Sequence, residues 1–352
     1  MLDAWGDGNV AALAGLFGGI LLGLAARLGR FCTLGAIEDY VYGGSDLRLR
    51  MWVLAIGTAI FGSFALTAFG AVTPEASFYL SLGWSPVATI VGGLVFGYGM
   101  AMAGNCGYGA VARLGGGDLR SFVIVVVMGI AAYATISGPA AHLRVLIFPP
   151  QTLADAPQGI AHWLGNLSGA PIWLIGCVIG VAFVAAALSS RAMRRDKAAV
   201  FWSVVVGAAV ISAWAATTWI ANNGFDGTPV VSHTFAAPIG ETIFYIMTSS
   251  GQTLSFAIGS VAGVWVGAFV GSLIKGHFRW EACEDPRELR RQIIGAAMMG
   301  VGAVLALGCS IGQGLSAFSL LAFSAPVAFV SILAGCWLGL RHLVEGFLPV
   351  RE

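Results

Sequence analysis

Three of the six cysteines in this 352-residue chain share their surroundings. Cys32 stands in GRFCTLGAI, Cys106 in AGNCGYGA and Cys309 in GCSIGQGL. A helix that begins after a glycine-rich break points free backbone N–H groups, and the positive end of its dipole, into the gap. That arrangement suits an anion. A thiol beside it adds a soft, weak S–H donor. Burial in an apolar wall keeps such a thiol neutral, whereas a thiolate would repel the anion. Backbone amides plus a soft donor fit an anion that carries sulfur. Harder donors stand next to the thiols: Thr33, Asn105, Ser310 and Gln313. Gly107 and Gly308 flank the second and third cysteines and let the backbone approach closely. The same polar side chains can equally satisfy the local backbone at a helix start. Arg30 can draw an anion toward Cys32 or simply anchor the segment. Glu38 and Asp39 read as carboxylates facing water rather than as proton carriers.

The remaining cysteines carry less. Cys177 and Cys336 read as small apolar fillers of a helix, and Cys283 as incidental in the charged stretch 275–291. No CxxC pair occurs, which argues against zinc and thioredoxin-like chemistry. No two histidines sit four apart on one span, so haem has no ligands. No cofactor is expected. A membrane enzyme that forms a cysteine persulfide is the alternative of another class, but no acid–base partner stands beside any of the three motifs.

These motifs need a frame. With 58% hydrophobic residues, 10% charged residues and a mean hydropathy of +0.85, the chain is an all-α polytopic membrane protein. Its net charge of +1 says nothing about partners, but no basic patch of nucleic-acid type is present, and no nucleic-acid partner is expected. Windows of about 20 apolar residues give nine spans, near 10–29, 50–71, 87–104, 119–137, 171–190, 199–220, 253–274, 292–308 and 325–345. Four pieces too short to cross remain, near 31–43, 106–117, 239–249 and 309–320, and are expected as short re-entrant helices. Residues 138–170, rich in Pro and small side chains, are expected as the main external loop. The start MLDAWGDGN has no basic region of signal-peptide type, so no cleaved leader is expected. With the N-terminus outside, every Lys and Arg except Arg144 falls on the cytoplasmic side, Arg351 included.

The three motifs are copies of one pattern, G-x4-G-x-[GA]-x6-C-x2-G. Gly92, Gly97, Gly99, Cys106 and Gly109 align with Gly295, Gly300, Gly302, Cys309 and Gly312. Gly18, Gly23, Ala25, Cys32 and Gly35 align with both. A degraded fourth copy is expected from Gly207 to Gly224, with Ala221 in the cysteine slot. The first two copies ride on inward spans and the other two on outward spans. This predicts an inverted pseudo-twofold repeat of residues 1–190 and 191–352 within one membrane domain. Inverted repeats with interrupted helices are typical of secondary transporters, with substrate at the breaks. The glycine runs at 15–23 and 259–271 read as helix-packing surfaces.

On GRFC, GNCGYG and GCSIGQG the chain resembles the YeeE/YedE family of sulfur-transport membrane proteins, over nearly its whole length. The resemblance implies thiosulfate uptake across the plasma (inner) membrane. It implies an hourglass-shaped bundle in which Cys309, Cys106 and Cys32, in that order from the outside, hand the anion along by S–H contacts. It also implies a small cytoplasmic sulfur-carrier partner of the TusA-like type. The middle motif departs from the family's usual small residues at Asn105 and Tyr108. That departure keeps another sulfur or selenium species open as cargo.

Overall fold

The computed structural model describes residues 2–148, 152–282 and 285–346, so Cys283 and Arg351 lie outside the described residues. The chain is a bundle of helices with no strand among the described residues. Those of nine or more residues are, in chain order, α1 (Asp7–Leu28), α2 (Thr33–Val41), α3 (Leu47–Ala68), α4 (Pro86–Ala103), α5 (Gly107–Gly115), α6 (Leu119–Ile136), α7 (Pro139–Ile147), α8 (Ile160–Ser168), α9 (Ile172–Leu188), α10 (Lys197–Asn223), α11 (Ala237–Thr248), α12 (Phe256–Ile274), α13 (Pro286–Leu305) and α14 (Ser324–Glu345). The external loop expected at 138–170 thus holds two short helices, α7 and α8.

Seven helical stretches among the described residues are long and apolar enough to cross a membrane. Nine spans are expected, and the two others are helical as well. Helix α9 has only 17 residues, about 25 Å at 1.5 Å per residue. The first turns of α13 carry Arg287, Arg290 and Arg291, which lower its apolar character. The chain is a multi-pass membrane protein. One end of the bundle gathers the basic segments: Arg120 bridges to Glu281 and Glu288, and Arg50 reaches Ser189. The other end holds the Glu75–His162 pair and the capping of Asp7 by the backbone of Phe225 and Asp226.

One large buried apolar cluster, with Leu22, Trp52, Phe64, Phe96, Trp214 and Met299 among its members, runs through the bundle, and closely packed helix pairs surround it. Helix α1 packs on α12 through the two glycine runs; a Cβ on Gly19 would lie 2.4 Å from the Ser260 carbonyl oxygen. Such close approach trades side chains for backbone-to-backbone contact, the usual device where lipid offers no hydrophobic drive. Helices α4 and α13 meet in a reciprocal seam. A Cβ on Gly92 would meet the Gly302 oxygen at 2.7 Å and the Ala306 nitrogen at 2.5 Å. Its aligned residue Gly295 would meet the Gly99 oxygen and the Ala103 nitrogen, each at 2.6 Å. The neighbours match in the same way: α4 packs on α14 and α13 on α6, while α1 packs on α12 and α10 on α3.

Each cysteine motif is built alike. The long helix stops, one residue two places before the cysteine takes left-handed backbone, and a short helix follows the cysteine. Those residues are Arg30 (φ 54°), Gly104 (φ 78°) and Leu307 (φ 57°). Two of the three carry a Cβ, at a cost of about 1–2 kcal/mol each. After Cys309 the short element is one helical turn running into a π-helical stretch, Gly312–Ala317. The expected fourth copy needs correction. Helix α10 runs unbroken through Ala221, because nothing before Gly224 interrupts its bonding. The short helix α11 begins only after the connection 224–236, so Ala221 is not at a break.

Candidate functional site

Cys309 is buried, and its sulfur is held from two directions. The Phe235 N–H donates to it at 3.3 Å and the Gly312 N–H at 3.4 Å. The Thr234 hydroxyl lies 3.6 Å from it. The connection before α11 supplies Phe235 and Thr234, and the turn after the break supplies Gly312. Gly312 is required there: a Cβ would lie 2.5 Å from the Thr234 hydroxyl and 3.1 Å from that of Tyr79. With N–H groups occupying the sulfur's lone pairs, the S–H proton is left to point elsewhere.

Cys106 is fully buried and caps α5, its sulfur accepting the Gly109 N–H at 3.4 Å. Ser310 stands beside it without a hydrogen bond of normal geometry. Cys32 and Cys309 both lie close enough to Cys106 to act on it electrostatically. Cys336 on α14 lies within the same range of Cys32 and Cys106. That fourth thiol, read from the sequence as filler, gave no signal because it lies outside the repeated pattern.

Cys32 opens onto a cavity of about 330 Å³ at the basic end of the bundle. Arg27, Arg30, Arg48, Arg113 and Lys275 line it, with Glu38 as the one lining carboxylate and Asn105 at its wall. Lys275 donates to the Arg27 and Leu28 carbonyls at the end of α1, at 2.9 and 3.1 Å. Burial, then the charges of Arg30 and Arg27, hold its ammonium below the ordinary range.

The polar neighbours separate into two groups. Thr33 Oγ1 and Asn105 Oδ1 are buried with no partner in the protein, and Ser310 Oγ has none besides the Cys106 thiol beside it. One follows Cys32, one precedes Cys106 and one follows Cys309. Buried polar atoms are rarely left unpaired, since each costs about 1–3 kcal/mol. Gln313 is different: its amide donates to the Ala306 carbonyl at 2.7 Å and accepts from Ser324 at 3.2 Å, bracing the break. Tyr108 is also a brace, donating to the Leu22 carbonyl at 2.6 Å and packing on Phe235. Gly107 admits the Phe235 carbonyl, which a Cβ would meet at 2.9 Å. Gly308 sits against the Gln313 side chain.

The sequence reading missed Tyr79, Thr234 and Phe235. A signal existed: Ser232, His233 and Thr234 form a polar run in an apolar stretch, and the first two are buried. Among the described residues, no group of three His, Cys, Asp or Glu is placed to hold a metal ion.

The model of the family described as Sulphur transport matches residues 28–338. The chain is 27% identical over 340 residues to the thiosulfate transporter TsuA of Escherichia coli (strain K12), covering 92% of each chain. It is 25% identical over 335 residues to the thiosulfate transporter TsuA of Spirochaeta thermophila, covering 92% of this chain and 96% of that one.

Proposed function

The chain belongs to the sulphur transport family, and on that premise we propose that it takes up thiosulfate across the plasma membrane along its three repeat thiols. The observation that supports this reading is the pair of buried hydroxyls next to Cys32 and Cys309, Thr33 and Ser310, neither of which has a hydrogen bond of normal geometry in the protein. An anion passing from Cys309 to Cys106 to Cys32 accepts in turn from the Ser310 and Thr33 hydroxyls, whereas Asn105 Oδ1 is an acceptor and takes no part in holding an anion. Neutral S–H donors meet its terminal sulfur and backbone N–H groups meet its charge. The basic cavity at Cys32 receives it on the far side. No step in this passage makes or breaks a bond in the cargo, so the role is that of a transporter and not of an enzyme.

The reading includes nine spans, with the N-terminus outside, the C-terminus in the cytoplasm and the basic end of the bundle facing inward. The seam of α4 and α13 supports residues 1–190 and 191–352 as inverted repeats, with α9 the unpaired span. A small TusA-like sulfur carrier taking cargo at the cytoplasmic face belongs to the same reading. A second cargo, another sulfur or selenium species, is favoured by Asn105, whose unpaired Oδ1 accepts from a protonated species at the middle thiol.

Labelled thiosulfate uptake by cells carrying Cys309→Ala, Cys106→Ala or Cys32→Ala is the test. Each variant, at wild-type abundance, is expected to lose most of its uptake. Wild-type rates in all three would end the relay reading. Competition by selenite, sulfite and sulfide separates the cargoes.

A further inference from the structure

Four of the cations around the Cys32 cavity, Arg27, Arg30, Arg113 and Lys275, form no ion pair among the described residues. Arg48 is paired with Asp39 at 3.0 Å. Glu38 acts on Arg113, and Asp118 and Glu281 on Arg27, but the cations lining the cavity outnumber its one carboxylate and repel one another. The cavity also holds a donor with nothing to bind: Arg27 Nε is buried without a partner. The volume of about 330 Å³ exceeds a tetrahedral oxyanion with some of its water, each water taking about 30 Å³.

We infer that this cavity is a regulatory oxyanion site, which takes inorganic sulfate from the cytoplasmic side and thereby slows uptake. The inference rests on the transport reading and on the inward-facing basic end. Guanidinium groups recognise the charge and the oxygen edges of a tetrahedral dianion. They do not test for a terminal sulfur. The thiol series beyond them does, because its soft donors match sulfur and not oxygen. Sulfate therefore shares thiosulfate's charge and shape in the cavity but lacks the contact needed to pass Cys106. It occupies the exit without travelling. Since sulfate is the oxidised end of sulfur metabolism, its accumulation inside would restrain further import.

Right-side-out membrane vesicles carrying the protein, preloaded with sodium sulfate or with sodium chloride at matched ionic strength, provide the test. Initial thiosulfate uptake is expected to fall saturably with internal sulfate. In Arg113→Gln the concentration giving half-inhibition is expected to rise about tenfold, as for loss of one charged contact. Comparing half-inhibition within each variant removes any change in its basal rate. The Arg113 bond from Arg27 uses the backbone carbonyl and survives that substitution. Uptake indifferent to internal sulfate would overturn the inference while leaving transport intact. Equal inhibition of wild type, Arg113→Gln and Arg27→Gln would overturn it as well. If vesicles take up no thiosulfate, the transport reading fails on its own, and labelled sulfate binding to the purified protein then decides. Saturable binding weakened in Arg113→Gln supports the site, and none refutes it.

Discussion

The backbone N–H of Phe235 donates to the sulfur of Cys309 across 3.3 Å, joining two segments 74 residues apart. A sulfur accommodates that span; an oxygen on the shorter C–O bond would sit too far from the N–H for a normal hydrogen bond. Cys309→Ser is therefore expected to fold but to bind thiosulfate roughly tenfold more weakly, having lost both the soft donor and the seat of its loop. A concentration series of labelled uptake checks this, with KM as the readout. An unchanged KM would remove the sulfur from the binding step.

Leu307 occupies left-handed backbone two residues before Cys309. Glycine holds that conformation without the Cβ clash. Leu307→Gly is expected to stabilise the purified protein by up to about 1 kcal/mol, less the lost burial of the side chain. A rise in thermal midpoint in detergent is the sign to look for. A fall of several degrees would mean that the leucine contacts outweigh the backbone strain.

Asn105 and Gln313 predict opposite outcomes. Asn105 Oδ1 has no partner to lose, so Asn105→Ala is expected to leave stability unchanged or slightly higher. Gln313→Ala strips a partner from a buried carbonyl and a buried hydroxyl and is expected to cost about 2 kcal/mol. Paired thermal melts and uptake rates distinguish them. A stable Gln313→Ala with slow uptake would make that amide a cargo contact after all.

Glu75 and His162 meet at 2.9 Å at the end opposite the basic cavity. The hydrogen bond from His162 holds the Glu75 carboxyl below its ordinary range, against the opposing effect of burial. A depressed folded-state carboxyl contributes stability above its unfolded range, near pH 4.3, and loses it as pH falls through the folded value. Glu75→Gln is expected to melt earlier than wild type at pH 7, with the gap closing below about pH 4. A gap that stays constant down to acid pH would show that the pair contributes nothing through ionisation.

Gly302 faces the Gly92 carbonyl and the Phe96 nitrogen so closely that a Cβ would stand 2.7 and 2.5 Å away. Gly302→Ala is expected to cost about 1–3 kcal/mol by overpacking, and Gly302→Leu to prevent assembly. Yield of monodisperse protein after purification measures both. A normal yield for the leucine variant would contradict the tightness of the seam.

What could be read beforehand follows from what a sequence encodes locally. Hydropathy alone located the long helices, and the shared G-x4-G pattern located three breaks to within a residue. The left-handed residue at each break was invisible, because Arg30, Gly104 and Leu307 have nothing in common as side chains. Thr234 and Phe235 were missed because they reach Cys309 only through folding. The expected break at Ala221 failed because glycine spacing without a cysteine marks packing as readily as interruption. Gln313 and Tyr108 looked like cargo contacts because a sequence does not say which hydrogen bonds the protein itself will use.

The seam between α4 and α13 has a mechanical consequence. Backbone pressed on backbone through paired glycines leaves no compliant side chains to absorb sliding. Helices α4 and α13 are keyed together like a riveted joint, and rocking one against the other would tear contacts at both ends of the key at once. On the proposed transport reading, this stiffness assigns movement to the short segments at the breaks. The bundle behaves as a stiff barrel with small hinged pieces inside it, closer to a turnstile than to a pair of swinging doors.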